Sequence, residues 1–187
     1  MLAVRCDIPC QLIDSPSELE IVCVKLNYSQ PIVCCLTYMP PNSSITHYEN
    51  LFSFLNNANI SSTNLILLGD FNIPDIDWNT LSGVSPVSQQ FCDLIFDSAL
   101  SQLINCPTHI HGNILDLLLT NSEDVIQCIT VDPQSSSLLP DYYSITFKIA
   151  FSKPPTKTSC YYSFNYSKGN YDDLHEYLLN SHFSPCF

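Results

Sequence analysis

The chain has little positive charge. Six lysines and arginines stand against 18 aspartates and glutamates in 187 residues, a net charge of -12. Nucleic-acid affinity normally rests on Lys and Arg contacts to phosphate, and Arg5, Lys25, Lys148, Lys153, Lys157 and Lys168 leave little of that to a DNA-coating role. Charged residues of either sign make up only 13%, while 45% are hydrophobic, which excludes a solvated disordered chain and fits a globular one. No apolar run reaches the length of a membrane span, so no membrane partner is expected. Residues 1–4 are followed at once by Arg5 and Asp7, so they do not read as a leading secretion signal. The ten cysteines contain no C-x-x-C pair that would suggest zinc. Cys23, Cys34 and Cys35 in strand-like runs and Cys92 on a helical stripe read as free thiols packed as small hydrophobes, in a reducing cytoplasmic or nuclear setting.

The length suits one domain plus an extension. Residues 2–4, 19–26 and 31–38 read as strands of an antiparallel meander, separated by turn-prone segments. Thr46-His47-Tyr48-Glu49 fits a capping box, with Leu51, Phe54, Leu55 and Ala58 on the apolar stripe of a first helix. Ser85-Pro86 gives an N-cap followed by proline at N1, with Phe91, Leu94, Ile95 and Ala99 on one face of a second. Residues 114–120, 125–131 and 144–151 are further strands, so helices over mixed strands predict α/β layers. A polar, proline-bearing stretch at 152–158 marks a boundary: residues 1–151 form the domain, and 152–187 a linker with a short helix at 171–179.

The most informative stretch is Leu65-Ile66-Leu67-Leu68-Gly69-Asp70-Phe71-Asn72. A short apolar run ending in glycine, an acid and an amide reads as a strand buried on both faces that delivers polar groups to a site. Strand periodicity puts Asp70 and Asn72 on one face and Phe71 on the other. A carboxylate and an amide converging on a water, a metal or a phosphate oxygen suit phosphodiester chemistry; the same residues also suit an ordinary strand-to-loop turn.

Four motifs in order carry a resemblance: Tyr38-Met39-Pro40-Pro41-Asn42-Ser43-Ser44, the Gly69-Asp70-Phe71-Asn72 tetrad, Asn113-Ile114-Leu115-Asp116-Leu117-Leu118-Leu119-Thr120-Asn121 and Pro140-Asp141-Tyr142-Tyr143-Ser144-Ile145. Together they resemble the endonuclease/exonuclease/phosphatase superfamily, and within it the endonuclease domain of non-LTR retrotransposons, over residues 2–151. The resemblance implies two packed mixed β-sheets flanked by helices, a four-layer α/β sandwich, here without its first strands. It also implies a Mg²⁺- or Mn²⁺-dependent endonuclease that nicks DNA, accompanied by a reverse transcriptase domain of the same element.

By resemblance, Asp70 orients or deprotonates the attacking water, and Asn72 holds that water and the phosphate. Tyr38 contacts the scissile phosphate, Asp116 orients a catalytic histidine and Asp141 holds the metal. Each has a plainer alternative: Tyr38 as rim packing, Asp116 as a strand-end acid facing solvent, Tyr142 as an aromatic at a strand entrance. Two departures matter. Tyr142 stands where the resemblance expects the catalytic histidine, and a phenol cannot carry an imidazolium's charge near neutral pH. An early Asn and a metal-binding Glu have no counterpart before residues 2–4, and Glu18 and Glu20 fall in the wrong motif order. Impaired activity is therefore expected, with a catalytically inert relic or binding domain, or a phosphoesterase of the same superfamily, as alternatives. Asp75 and Asp77 read as a solvated loop pinned by Trp78, and His109 and His111 as loop histidines.

Overall fold

The computed structural model describes residues 1–57, 63–133, 143–150 and 170–180. Its chain forms two compact units, Met1–Pro154 and Pro155–Phe187. In the first, chain order runs β1 (Cys10–Ile13), β2 (Ile21–Leu26), β3 (Ile32–Tyr38), α1 (Ile45–Asn57), β4 (Asn64–Asp70), β5 (Ile76–Asp77), β6 (Ser82–Gly83), α2 (Pro86–Asp97), β7 (Ser101–Gln102), β8 (Asp116–Thr120), β9 (Ile126–Asp132) and β10 (Ser144–Ile149). The second contains α3 (Tyr171–Asn180). The expected boundary at 152–158 lies outside the described residues.

A six-stranded sheet, ordered β1-β2-β3-β4-β8-β7, carries the fold. The first three strands are the antiparallel meander, α1 crosses over so that β4 lies parallel to β3, and β8 returns antiparallel to β4. The sheet is therefore mixed, with β4 in its interior. Its apolar run is divided by the pleat. Leu65 and Leu67 enter a core with Tyr48, Phe52, Phe91 and Ile95 of the two helices, and Ile66 enters the opposite core with Val24, Ile32, Cys34 and Leu118. Onto that second face pack Ile129, Val131, Ile145 and Phe147 of the antiparallel β9-β10 pair. Helices, the mixed sheet and a second small sheet thus form three stacked layers among the described residues, the α/β architecture expected from the sequence.

Several local expectations are corrected. Residues 2–4 are not a strand; the first strand is β1, whose outward side chains give no apolar pattern to read. The helix α1 begins at Ile45, which puts Thr46 inside it rather than at an N-cap. At α2 the expected cap is present: the Ser85 side chain accepts from the Ser88 backbone, and the Ser88 side chain closes the box. Ala99 lies beyond α2 in left-handed backbone, φ 50°, and Cys92 takes its place on the buried face. Cys23 and Cys35 are not free thiols: they are direct partners across β2 and β3, their side chains emerge on one face, and they are joined as a disulfide.

Candidate active site

The site is built where β3, β4 and β8 end together. Tyr38 is the register partner of Asp70, and Asp70 is the register partner of Asp116, so three motifs far apart in sequence form one row across neighbouring strands. Close approach of β3 and β4 here depends on Gly69. Its φ is +149°, and a Cβ on it would stand 1.9 Å from the Thr37 carbonyl oxygen.

Backbone bonds fix the turn that follows. The Met39 N–H donates to the Asp70 carbonyl at 2.8 Å and the Phe71 N–H to the Leu115 carbonyl at 2.9 Å, tying the end of β4 to both neighbours. Phe71 is buried against Phe91, ring centroids 5.5 Å apart, and its carbonyl accepts from the Tyr48 hydroxyl at 2.8 Å. Burial, with the Asp70 charge beside it, pushes the Tyr48 phenol up to about 12, so it remains a donor.

Asn72 does not continue the strand. Its backbone is left-handed, φ 50°, a conformation asparagine tolerates better than most residues, so alternation ends at Phe71. Asn72 nevertheless stays with Asp70: its N–H donates to Asp70 Oδ1 at 3.0 Å, and its side-chain amide donates to the Met39 carbonyl at 2.8 Å. An amide NH₂ carries two protons, so the bond to Met39 uses half of its donor capacity. A cleft of about 410 Å³ reaches Asn72 from the side of Tyr48, Asp75 and Ser85.

Asp116 is aimed by Thr108. This threonine is fully buried, and its hydroxyl accepts from the Leu115 and Asp116 N–H groups, both at 3.1 Å. Its own N–H donates to the Asn113 carbonyl at 3.0 Å, closing the loop that carries His109 and His111. Its carbonyl accepts from the Tyr143 N–H at 3.0 Å, which ties the start of β10 to this loop. Sequence reasoning passed over Thr108; the available signal was a hydroxyl residue shortly before an acid-bearing apolar strand, where the strand's first N–H groups need an acceptor.

Both acids are half-buried and hold their protons more tightly than an ordinary carboxylate. For Asp70 the largest cause is burial, opposed by hydrogen bonds from Asn72 and by the charge of His109. For Asp116 burial again dominates and the neighbouring Asp70 charge adds to it, while the Thr108 hydrogen bond and His109 oppose. Among the described residues Asp116 Oδ2 is buried with no hydrogen-bond partner, an open position for a donor or cation.

Tyr38, Asp70, Asn72 and Asp116 are thus gathered at one end of the sheet, with the Tyr38 ring exposed at the rim. Asp141 and Tyr142 lie outside the described residues. Asp75 and Asp77 are used locally: Asp75 accepts from Ser85 and Ser88 at the start of α2, and Asp77 from the Asn79 N–H. Among the described residues no group of three His, Cys, Asp or Glu side chains could hold a metal ion. The chemistry gathered here is oxygen and amide rather than sulfur, which suits Mg²⁺ or Mn²⁺, and Mg²⁺ needs only one or two protein carboxylates beside water and phosphate oxygens. Among the described residues no helix is long and apolar enough to cross a membrane.

Three solved structures show the same fold. A 3′ phosphatase from Neisseria, bound to a product DNA hairpin, matches with a TM-score of 0.51 at 16% identity, covering 79% of this chain and 72% of its own. An AP endonuclease from Archaeoglobus fulgidus matches with a TM-score of 0.51 at 13% identity, over 68% of this chain and 64% of that one. The human Nocturnin catalytic domain matches with a TM-score of 0.50 at 14% identity, over 76% and 60%. The chain thus spans less than two thirds of the second and third of these proteins. No curated protein matches its sequence. A family model described as endonuclease-reverse transcriptase matches residues 32–138, a span that takes in Tyr38, Asp70, Asn72 and Asp116. The chain belongs to that endonuclease-reverse transcriptase family, within the endonuclease/exonuclease/phosphatase superfamily of hydrolytic nucleases and phosphatases, whose enzymes are generally divalent-metal dependent.

Proposed function

We propose that this domain is a Mg²⁺-dependent DNA endonuclease of a non-LTR retrotransposon, hydrolysing a phosphodiester by attack of water, with a reverse transcriptase domain of the same element as its partner. The observation that carries the reading is the row formed by Tyr38, Asp70 and Asp116 at the ends of adjacent strands, with Asn72 bonded to Asp70. Asp70 accepts the proton of the attacking water. Asn72 orients that water and donates to a phosphate oxygen without adding charge, while Tyr38, at the rim, donates its phenol proton to the scissile group. Asp141 holds the metal, and Mn²⁺ is an acceptable substitute. When bound, the ion supplies the positive charge at phosphate that this acidic chain lacks.

Burial raises the proton affinity of Asp70, which strengthens it as a base, and its protonation makes the reaction fail as pH falls. Tyr142, in the position assigned to the imidazole, leaves the reaction without its usual proton carrier, and activity is accordingly low. The same tyrosine and the scarcity of basic residues favour a second reading, an inert domain that only binds a partner.

Nicking of supercoiled plasmid DNA in Mg²⁺ tests the proposal. The chain should convert supercoiled to open-circular DNA, Asp70→Ala should abolish this, and Tyr142→His should raise the rate on the order of tenfold or more. Absence of nicking by both the natural chain and Tyr142→His would rule out the DNA endonuclease and support the inert binding domain.

A further inference from the structure

The carbonyl of Phe71 and the N–H of Asn72 belong to one peptide unit, and the fold holds that unit at both ends. Its oxygen accepts from the Tyr48 hydroxyl at 2.8 Å, and its N–H donates to Asp70 Oδ1 at 3.0 Å. Planarity makes the two bonds interdependent: in a trans peptide the oxygen and the hydrogen point to opposite sides, so turning one away from its partner turns the other away as well. A hydroxyl on α1 thus reaches Asp70 through the backbone.

The unit needs such a hold. Asn72 is left-handed, φ 50°, and a non-glycine residue stays in that region only where its surroundings over-determine it. Its side-chain amide adds one further tie, to the Met39 carbonyl at 2.8 Å. Tyr48 is itself braced: it is fully buried, its ring meets the Phe91 ring of α2 edge-on with centroids 5.3 Å apart, and the same Phe91 ring packs against Phe71. Donor and acceptor are therefore fixed by one shared aromatic. Their bond is buried, so water does not readily replace the hydroxyl if it is lost.

We propose that Tyr48 is a positioning residue of the hydrolytic site, whose hydroxyl locks the Phe71–Asn72 peptide in the orientation that aims the Asn72 N–H at Asp70 and keeps the Asn72 side chain on the Met39 carbonyl. The proposal deepens the hydrolytic reading and rests on it for its consequence in catalysis, because Asp70 and Asn72 are the groups assigned to water and phosphate. Without the hydroxyl, rotation of the peptide releases Asp70 Oδ1 and lets Asn72 leave the left-handed region. Both groups then lose their shared geometry. The phenol, pushed up to about 12, remains a donor throughout the neutral range, so the lock is present wherever Asp70 is ionised near neutrality.

Hydrogen exchange at the Asn72 backbone N–H, followed by NMR in the full chain without metal or DNA, tests the lock independently of activity. Tyr48→Phe keeps the ring against Phe91 and removes only the hydroxyl, and exchange at Asn72 should accelerate on the order of tenfold, as expected for the loss of one hydrogen bond. Phe52→Leu loosens the same aromatic cluster, in which Phe52 meets Phe91 at 5.8 Å, without removing either bond of the peptide. Corrected for its global stability, that variant should leave Asn72 protected as in the natural chain. An unchanged rate in Tyr48→Phe, or an equal acceleration in Phe52→Leu, would overturn the proposal. In plasmid nicking Tyr48→Phe should lower kcat on the order of tenfold while KM changes by less than about twofold. A loss confined to KM would overturn it as well. A natural chain that does not nick counts against the hydrolytic reading alone, because amide exchange still decides whether Tyr48 holds the peptide.

Discussion

Burial raises the proton affinity of Asp70 and Asp116 in the folded chain, so ionising either costs folding free energy. The sign is the reverse of that for a salt-bridged acid. A carboxyl whose proton is held more tightly when folded contributes most to stability at low pH, below its unfolded value, and loses that contribution as pH rises through the higher folded value. Asp116→Asn keeps the shape and removes the charge, leaving an amide where Oδ2 has no partner among the described residues. The variant should therefore be more stable than the natural chain at about pH 7, by about 1 kcal/mol or less given the partial exposure of the site, and the gain should vanish near about pH 3. Urea denaturation at the two pH values measures this; a gain that is equal at both would show that the charge is not its source. The same substitution should lower nicking, the trade-off expected where a site holds charge at the fold's expense.

At the scale of the element, the end of β4 has no slack. Gly69→Ala would place a methyl group against the Thr37 carbonyl of β3, and backbone in an interior strand cannot step aside as a side-chain tip could. The expected cost is about 3 kcal/mol or more, read as a loss of thermal stability, and nicking should fall with it because Asp70 is the next residue. A variant of native stability would show that β3 and β4 can separate. How far such elements were legible in the sequence depends on how local their causes are. Ser85-Pro86 announces α2 because cap and proline act within one turn, and the run from Leu65 to Leu68 announces β4 because burial on both faces leaves an unbroken apolar word. β1 was missed because it is only four residues long and its mostly exposed side chains show no buried alternation. The Asp70–Asn72 pairing was expected from strand alternation but is produced by a left-handed Asn72 and a hydrogen bond back to Asp70. Thr108 was missed for the same reason: its importance comes from β8 and Asn113 closing around it, and no spacing within its own segment carries it.

For the whole molecule the governing quantity is net charge. A protein that holds DNA through many Lys and Arg contacts loses affinity steeply with salt, on the order of a thousandfold or more between about 50 and 200 mM, because each neutralised phosphate releases counterions. A chain with six basic residues and a net charge of -12 releases few counterions on binding and repels the duplex overall. Added monovalent salt then screens repulsion more than attraction. Affinity for a labelled duplex, followed by fluorescence anisotropy, should be weak and nearly flat between those salt concentrations, or should tighten slightly, while Mg²⁺ should strengthen it by standing between carboxylate and phosphate. A steep loss with salt would mean that the few cations are concentrated on one DNA-facing groove, and the metal would no longer be needed to explain how so acidic a domain approaches a polyanion. A flat response abolished by removing Mg²⁺ would place the attraction at the metal and leave target choice and residence on DNA to the reverse transcriptase domain proposed as its partner.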